Sequence, residues 1–237
     1  MGILYGWAAA QDAEYRAHWE RLAATTPSED ADDELLWIVL GDSAAVGVGA
    51  ESVDRSYVAQ VAETLTRRTG RPVRIVNLAI SGATAATVLR EQVPRLDALL
   101  SDGPGSAGGS PDVVTCVVGG NDITWTRRFR PEHFEADLDR VAAHLPAGST
   151  LSMVPSFRLW PFEQRVRRAN AVVRRIAARH GLGVADLHVA TLRSSLRHQF
   201  GRLSPDWFHP NGAGYADWAR ALLPEVLRQV RGEPPTG

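Results

Sequence analysis

The sequence predicts an α/β fold with a five-stranded parallel sheet, because short runs of β-branched and other apolar residues alternate with helical segments. Hydrophobic residues make up 44% of the 237 positions, which is ample for the core of one large domain. The predicted strands are Leu35–Leu40, Val73–Ile80, Val113–Val118, Thr150–Val154 and Val184–Leu187.

Four segments between these strands are long enough for crossover helices and carry apolar residues at helical spacing. They are Ser56–Thr69, Thr84–Leu100, Pro131–Leu145 and Phe162–His180. We place one α/β domain at residues 34–232 and an N-terminal helical extension with an acidic loop at residues 1–33. The extension has Trp7, Tyr15, Trp19 and Leu22 near one helix side. We expect that side to pack on its own domain; pairing with a second subunit or covering the active site are the alternatives.

Composition excludes several classes of partner. The formal net charge is -1, with no basic excess, so we expect no nucleic-acid partner. No apolar run reaches the length of a membrane span and no secretory signal begins the chain, so we expect a cytoplasmic protein without stable membrane insertion. The single cysteine, Cys116, lies in a predicted strand and is interpreted as a core residue.

A candidate nucleophile, Ser43, follows the first predicted strand in the sequence Gly41-Asp42-Ser43. This position places its hydroxyl at the carboxyl end of the sheet, where open α/β sheets bind ligands. The alternative is a simple turn in which Asp42 or Ser43 caps the next helix.

A candidate base, His209, lies three residues after Asp206 in a segment flanked by prolines. A carboxylate at this spacing can fix the imidazole tautomer and stabilise the imidazolium that forms when histidine takes a serine proton. The alternative is an exposed Asp–His pair at the start of the last helix.

Acyl transfer also needs donors for an oxyanion, and the sequence offers two. Asn121 follows Gly119-Gly120 at the end of the third predicted strand, and Gly82 follows the second, where its backbone N–H can point at the same site. Taken alone, each glycine segment favours an ordinary strand-to-helix turn, which is the alternative interpretation.

Together these segments resemble the four motif blocks of the SGNH or GDSL hydrolase family. The matching positions are Gly41–Gly47, Gly82, Gly119–Asp122 and Asp206–Asn211. The resemblance implies a three-layer α/β/α flavodoxin-like fold, a triad of Ser43, Asp206 and His209, and an oxyanion hole formed by the Ser43 and Gly82 amides and the Asn121 side chain.

Two features depart from the family pattern. Its nucleophile block lies near the mature N-terminus, whereas 42 residues precede Ser43 here, so the resemblance leaves the role of the first helix open. Ala44 also stands where the family name has leucine. The Gly-x-Ser-x-Gly elbow of α/β-hydrolases is absent because Ala45 replaces its second glycine, so we do not predict that fold.

We therefore expect hydrolysis of a small-molecule ester with a short or medium acyl group through an acyl-serine, without a metal or organic cofactor. The alternatives are an acyltransferase using the same triad and a non-catalytic binding module. Trp125 and Trp160 follow the third and fourth strands and are candidate substrate-binding residues, although both are equally suited to packing the loops. An oligomer through the N-terminal helix and a phospholipase at a membrane surface are further alternatives; the helix lacks the basic face that the latter requires.

Overall fold

The centre of the molecule is a sheet of five strands that all run parallel. The computed structural model describes residues 2–24, 34–101, 110–124, 129–158, 160–192 and 200–235. The strands are β1 (Leu35–Gly41), β2 (Val73–Asn77), β3 (Val113–Val117), β4 (Thr150–Ser152) and β5 (Gly183–Ala185). Their spatial order, β2-β1-β3-β4-β5, is that of flavodoxin-like folds, and the predicted fold class is confirmed.

Helices cover both faces of the sheet. They are α1 (Gly2–Ala23), α2 (Ser43–Val46), α3 (Tyr57–Thr69), α4 (Ala85–Thr87), α5 (Val93–Ser101), α6 (Gly120–Thr124), α7 (Pro131–His144), α8 (Phe162–His180), α9 (Leu187–Leu192) and α10 (Gly212–Val230). A π-helical turn, Val88–Gln92, joins α4 to α5. Helices α1, α3 and α10 contribute to the core on one face of the sheet, and α5, α7 and α8 to the core on the other. The result is a three-layer α/β/α architecture.

Strand β1 explains how the two cores are separated. All seven of its residues are buried. Trp37 and Val39 belong to the core beneath α3 and α10, while Leu36, Ile38 and Leu40 belong to the opposite core. Successive side chains of a strand point to opposite faces, so a central parallel strand with both faces covered is apolar at every position.

The N-terminal helix α1 packs on the α/β domain through its aromatic side. Tyr15 and Trp19 are 4% and 3% exposed and belong to the core that includes α3 and α10. The acidic segment 25–33 lies outside the described residues. In the part of the chain that the structure describes, no helix combines the length and apolarity required to cross a membrane.

Strand ends differ from the predicted ones at the carboxyl edge of the sheet. Strand β2 ends at Asn77 instead of Ile80, and β4 ends at Ser152 instead of Val154. Leu187, predicted in a strand, begins α9, because the Asp186 carboxylate accepts the Val189 N–H at 2.8 Å and starts a helix there. Strands β2, β4 and β5 thus end earlier than predicted at the edge where the candidate site lies.

Candidate active site

Ser43 is the first residue of α2, directly beyond the end of β1. Asp42 is the N-cap of this helix, and its Oδ1 accepts the Ala44 N–H at 3.0 Å. The two interpretations of this segment therefore coexist, because Asp42 caps the helix while Ser43 lies at the carboxyl end of the sheet. Ser43 is 7% exposed, so access to its hydroxyl is narrow.

A continuous chain of hydrogen bonds links Ser43, His209 and Asp206. Ser43 Oγ lies 2.8 Å from His209 Nε2, and His209 Nδ1 lies 2.6 Å from Asp206 Oδ2. The histidine and aspartate side chains are 14% and 11% exposed. Residues separated by more than 160 positions are thus brought to the distances at which a histidine can take a proton from a serine.

The Asp206 carboxylate is held by several donors of its own loop. Its Oδ1 accepts from Ser204 Oγ at 2.6 Å and from the N–H groups of Phe208 and His209 at 2.9 Å each. Burial of the carboxyl favours its neutral form, but the hydrogen bonds from His209, Ser204 and Phe208 outweigh burial and hold the pKa of Asp206 well below its ordinary value. Asp206 therefore carries a negative charge beside the His209 ring at neutral pH.

The loop between Asp206 and His209 is a tight turn. Trp207 has a φ of 59°, in the left-handed region that bulky residues rarely adopt. Its N–H donates to the Ser204 carbonyl at 3.0 Å, and the Ser204 N–H donates to the His209 carbonyl at 2.8 Å. This turn directs the side chains of Asp206 and His209 toward each other.

Of the two candidate oxyanion donors, Asn121 lies next to Asp42, the residue before Ser43, and is bonded to the residue after Gly82. Asn121, 3% exposed, donates from Nδ2 to the Ala83 carbonyl at 2.9 Å and lies 3.3 Å from Asp42 Oδ2. Gly82 precedes Ala83 and has a φ of 78°, which glycine adopts without strain. Asn121 thus connects the turn that contains Gly82 to Asp42, the residue before Ser43.

Two further carboxyls near Asn121 are perturbed in the opposite direction from Asp206. Burial raises the pKa of Asp42 to about 6 and that of Asp122 to about 7, against partial compensation by backbone hydrogen bonds. Asp122 accepts the Ala85 N–H at 3.2 Å. A carboxyl whose pKa rises on folding favours the folded state less as pH increases through the range between its two pKa values.

A cavity of about 360 Å³ opens beside the triad, on the side of β3, β4 and α9. Ser43, Asn121 and His209 lie in its wall. The rest of its lining is mainly apolar and includes Val118, Met153, Val154, Phe157, Trp207 and Phe208. Phe157 and Phe208 lie 6.1 Å apart between ring centroids, and Phe208 meets the His209 ring edge-to-face at 5.0 Å.

Of the two candidate substrate-binding tryptophans, only Trp160 lies in the part of the chain that the structure describes. Trp160 is 79% exposed and is not among the residues that line the cavity, and Trp125 lies outside the described residues. Phe157, three residues before Trp160, does line the cavity. Over the described ranges, no group of three His, Cys, Asp or Glu side chains is arranged to hold a metal ion.

Sequence reasoning missed two buried amides that support the site. Gln92, fully buried, accepts the Gly41 N–H at 2.9 Å and donates to the Gly41 carbonyl at 2.7 Å. Asn170 makes the same pair of bonds with Val154, at 2.7 and 3.0 Å. The available signal was a polar amide at a position where helical spacing calls for an apolar residue.

Gly49 lies in the turn after Ser43, residues 46–50, which we call the nucleophile turn. It packs against the loop of residues 204–210, which we call the histidine loop. Its replacement is our prediction for stability. A methyl group there would lie 2.6 Å from His209 Cβ and would also clash with the Pro210 carbonyl oxygen, at a backbone φ of 100°. We expect Gly49→Ala to reduce the free energy of unfolding by about 3 kcal/mol, measured by urea titration.

Gly70→Ala is the matched control for this prediction. Gly70 has a φ of 75°, but a methyl group there would meet no atom within 4 Å. It should therefore cost only the left-handed strain, about 1 kcal/mol. Equal losses for the two variants would contradict close packing of Gly49 against the histidine loop.

Comparison with known proteins gives a consistent family and fold. Residues 39–216 match the model of the GDSL-like Lipase/Acylhydrolase family. The GDSL-like esterase Rv1075c of Mycobacterium tuberculosis (strain ATCC 25618 / H37Rv) is 28% identical over 207 residues, which are 83% of this chain and 62% of that protein. This chain thus spans less than two thirds of the length of that relative.

Solved structures show the same architecture. LAE5, an alpha/beta hydrolase enzyme from the metagenome of Lake Arreo, is 27% identical with a TM-score of 0.63, over 81% of this chain and 94% of that chain. Axe2, an acetylxylan esterase from Geobacillus stearothermophilus, is 21% identical with a TM-score of 0.60, over 85% of this chain and 96% of that chain. The second likeness shows the fold alone.

Proposed function

Because this chain belongs to the GDSL-like lipase/acylhydrolase family, we propose that it hydrolyses esters of short or medium acyl groups through an acyl intermediate on Ser43. The observation that carries the proposal is the hydrogen-bond chain from Ser43 through His209 to Asp206 at the wall of an apolar cavity. A triad of this kind is recognised by its geometry and by the roles of its members.

Two proton transfers through His209 complete the reaction. In the first half, Ser43 Oγ attacks the ester carbonyl while its proton moves to His209 Nε2, and that proton then leaves with the alcohol as the ester C–O bond breaks. In the second half, water gives a proton to His209 and attacks the acyl-serine, which releases the acid and returns the proton to Ser43. Asp206, ionised and hydrogen-bonded to Nδ1, stabilises the imidazolium in both halves.

Asn121 is assigned to the oxyanion, and its removal gives a measurable prediction. We expect Asn121→Ala to lower kcat by about 10² to 10³, because the negative oxygen of the tetrahedral intermediate loses a preorganised donor. KM should change little, since the ground-state ester carbonyl needs that donor less. Steady-state kinetics on a p-nitrophenyl ester checks this, with circular dichroism as evidence that the variant is folded. Wild-type turnover in the variant would contradict the assignment.

The cavity limits the acyl group. Its volume of about 360 Å³ is near the lower end of the 300–1,000 Å³ that is typical of small-molecule sites. Most of the wall is apolar, although Arg158 and Arg202 also line it, so the cavity favours a hydrocarbon chain over a polar one. A series of p-nitrophenyl esters from acetate to long chains should therefore show a maximum of kcat/KM at short or medium length.

Active-site labelling tests the proposal as a whole. The purified protein is exposed to a fluorophosphonate, and peptide mass spectrometry locates the adduct, while the ester series is assayed in parallel. We expect a single adduct on Ser43 together with ester turnover. Absence of both would contradict the proposed function. Product analysis with a competing alcohol then distinguishes hydrolysis from acyl transfer.

A further inference from the structure

Helix α1 is hydrogen-bonded to the turn that follows the nucleophile. The Gln11 side chain, 9% exposed, donates from Nε2 to the Ala50 carbonyl at 2.7 Å and accepts the Gly49 N–H on Oε1 at 2.7 Å. One amide thus binds both a donor and an acceptor of the same turn. Because both hydrogen bonds form together, they fix the orientation of the turn relative to the Gln11 side chain as well as its distance.

Two aromatic side chains on the same side of α1 continue this contact. Tyr15 donates its hydroxyl to the Ala50 carbonyl at 3.0 Å, and Trp19 donates its indole N–H to the Val46 carbonyl at 2.9 Å. Both side chains are buried. The turn from Val46 to Ala50 therefore has much of its backbone bound by side chains of one helix.

A second contact from α1 reaches the turn that contains Gly82. Asp12 accepts a hydrogen bond from the Ser81 hydroxyl, and Ser81 directly precedes Gly82. Consecutive helical residues point about 100° apart, so Gln11 and Asp12 are directed at two different loops. One helix is thereby attached to the nucleophile turn and to the turn that carries the candidate oxyanion amide.

We propose that α1 is a clamp that sets the distance between these two turns, with Gln11 and Asp12 as positioning residues. This role rests on the proposed function, because it assigns Ser43 and Gly82 to the same reaction. Gly49 is packed directly against His209, so displacement of the nucleophile turn also displaces the base. Misplacement of reacting groups by about 1 Å is enough to cost roughly 100-fold in rate.

The experiment compares Gln11→Leu, Asp12→Ala and the control Arg16→Ala in the full chain. Arg16 is exposed on the same helix. We expect the first two variants to lower kcat for a p-nitrophenyl ester by about 10- to 100-fold with KM within about twofold, and the control to match the wild type. Ser81→Ala should reproduce Asp12→Ala, and the double variant should be no worse than either single one.

Hydrogen exchange tests the proposed clamp independently of the proposed esterase activity. The Gly49 amide is bonded to Gln11 and should exchange its hydrogen slowly in the wild type and much faster in Gln11→Leu. Unchanged exchange of this amide would overturn the clamp, and so would unchanged kcat in folded variants of an active enzyme. A lower melting temperature with unchanged kcat would also overturn it, because it assigns α1 a merely structural role. If the wild type shows no ester turnover, the proposed function is contradicted and not the clamp. The exchange rate of the Gly49 amide in Gln11→Leu then decides whether α1 holds the nucleophile turn.

Discussion

Replacing Ser43 by alanine is expected to lower kcat for ester hydrolysis by about 10⁵- to 10⁶-fold, to a rate near that of the protein's binding and oxyanion groups alone. The physical reason is that Ser43 Oγ lies 2.8 Å from His209 Nε2, so it can give its proton to the histidine as it takes up the acyl group, and alanine has no such atom. Steady-state turnover of a p-nitrophenyl ester, with the protein purified free of other esterases, measures the effect.

The fold should tolerate this substitution. Asp42 caps helix α2 with its own side chain, so alanine at position 43 removes no capping bond. The matched control is Ser101→Ala, an exposed serine at the end of α5, which should retain full activity. Turnover near the wild-type level in Ser43→Ala would assign the nucleophile to another residue.

Asp206→Asn is expected to lower kcat by about 10⁴-fold. An asparagine oxygen can still accept the N–H groups of Phe208 and His209, so the loop keeps its shape. The amide, however, cannot stabilise the imidazolium, and its NH₂ group favours the wrong tautomer of His209. The kinetic effect is therefore separated from any change of fold, which circular dichroism would register.

A second Asp–His pair supplies the control. Asp139 Oδ1 lies 2.9 Å from His180 Nε2 on the surface, so Asp139→Asn changes a similar Asp–His hydrogen bond away from the site and should leave kcat unchanged. Comparable losses in both variants would show that the effect of Asp206→Asn is not specific to the site. Near-wild-type turnover in Asp206→Asn alone would remove Asp206 from the mechanism.

The same substitution should change the acid side of the stability profile. The pKa of Asp206 is lower in the folded protein than its ordinary value of about 3.9, so its stabilising contribution is fully present above that pH and decreases as pH falls below it. Asp206→Asn has no such titration. The difference in unfolding free energy between wild type and variant should therefore shrink between about pH 5 and pH 2, as followed by urea unfolding at each pH.

The sequence was sufficient for those parts of the molecule that depend on local pattern. The apolar runs predicted the parallel sheet because central parallel strands are buried on both faces, as β1 is. Ser43, Asp206 and His209 were identified because short segments bring their own context, a strand end in one case and a proline-flanked loop in the other. Their mutual distances required the fold.

The remaining parts depend on contacts between distant segments. The four-residue spacing of Gln11 from Tyr15 places it on the packed side of α1, but its bond to Gly49, 38 positions away, depends on the fold. The sequence predicts Trp125 and Trp160 as substrate-binding residues, whereas the cavity wall that the structure describes includes Phe208, which follows the left-handed backbone of Trp207. Loop conformation of this kind is set by tertiary hydrogen bonds, which periodicity does not contain.

The two buried amides, Gln92 and Asn170, have a consequence for how this sheet tolerates an opening at its edge. A strand that departs from its neighbour normally leaves backbone groups without partners inside the protein. Here each amide acts as a short substitute for a neighbouring strand, with one acceptor and one donor facing Gly41 or Val154. The chain can therefore diverge from the sheet at Gly41 and Val154, at the end where substrate would enter, while the backbone N–H and carbonyl groups there keep hydrogen-bond partners.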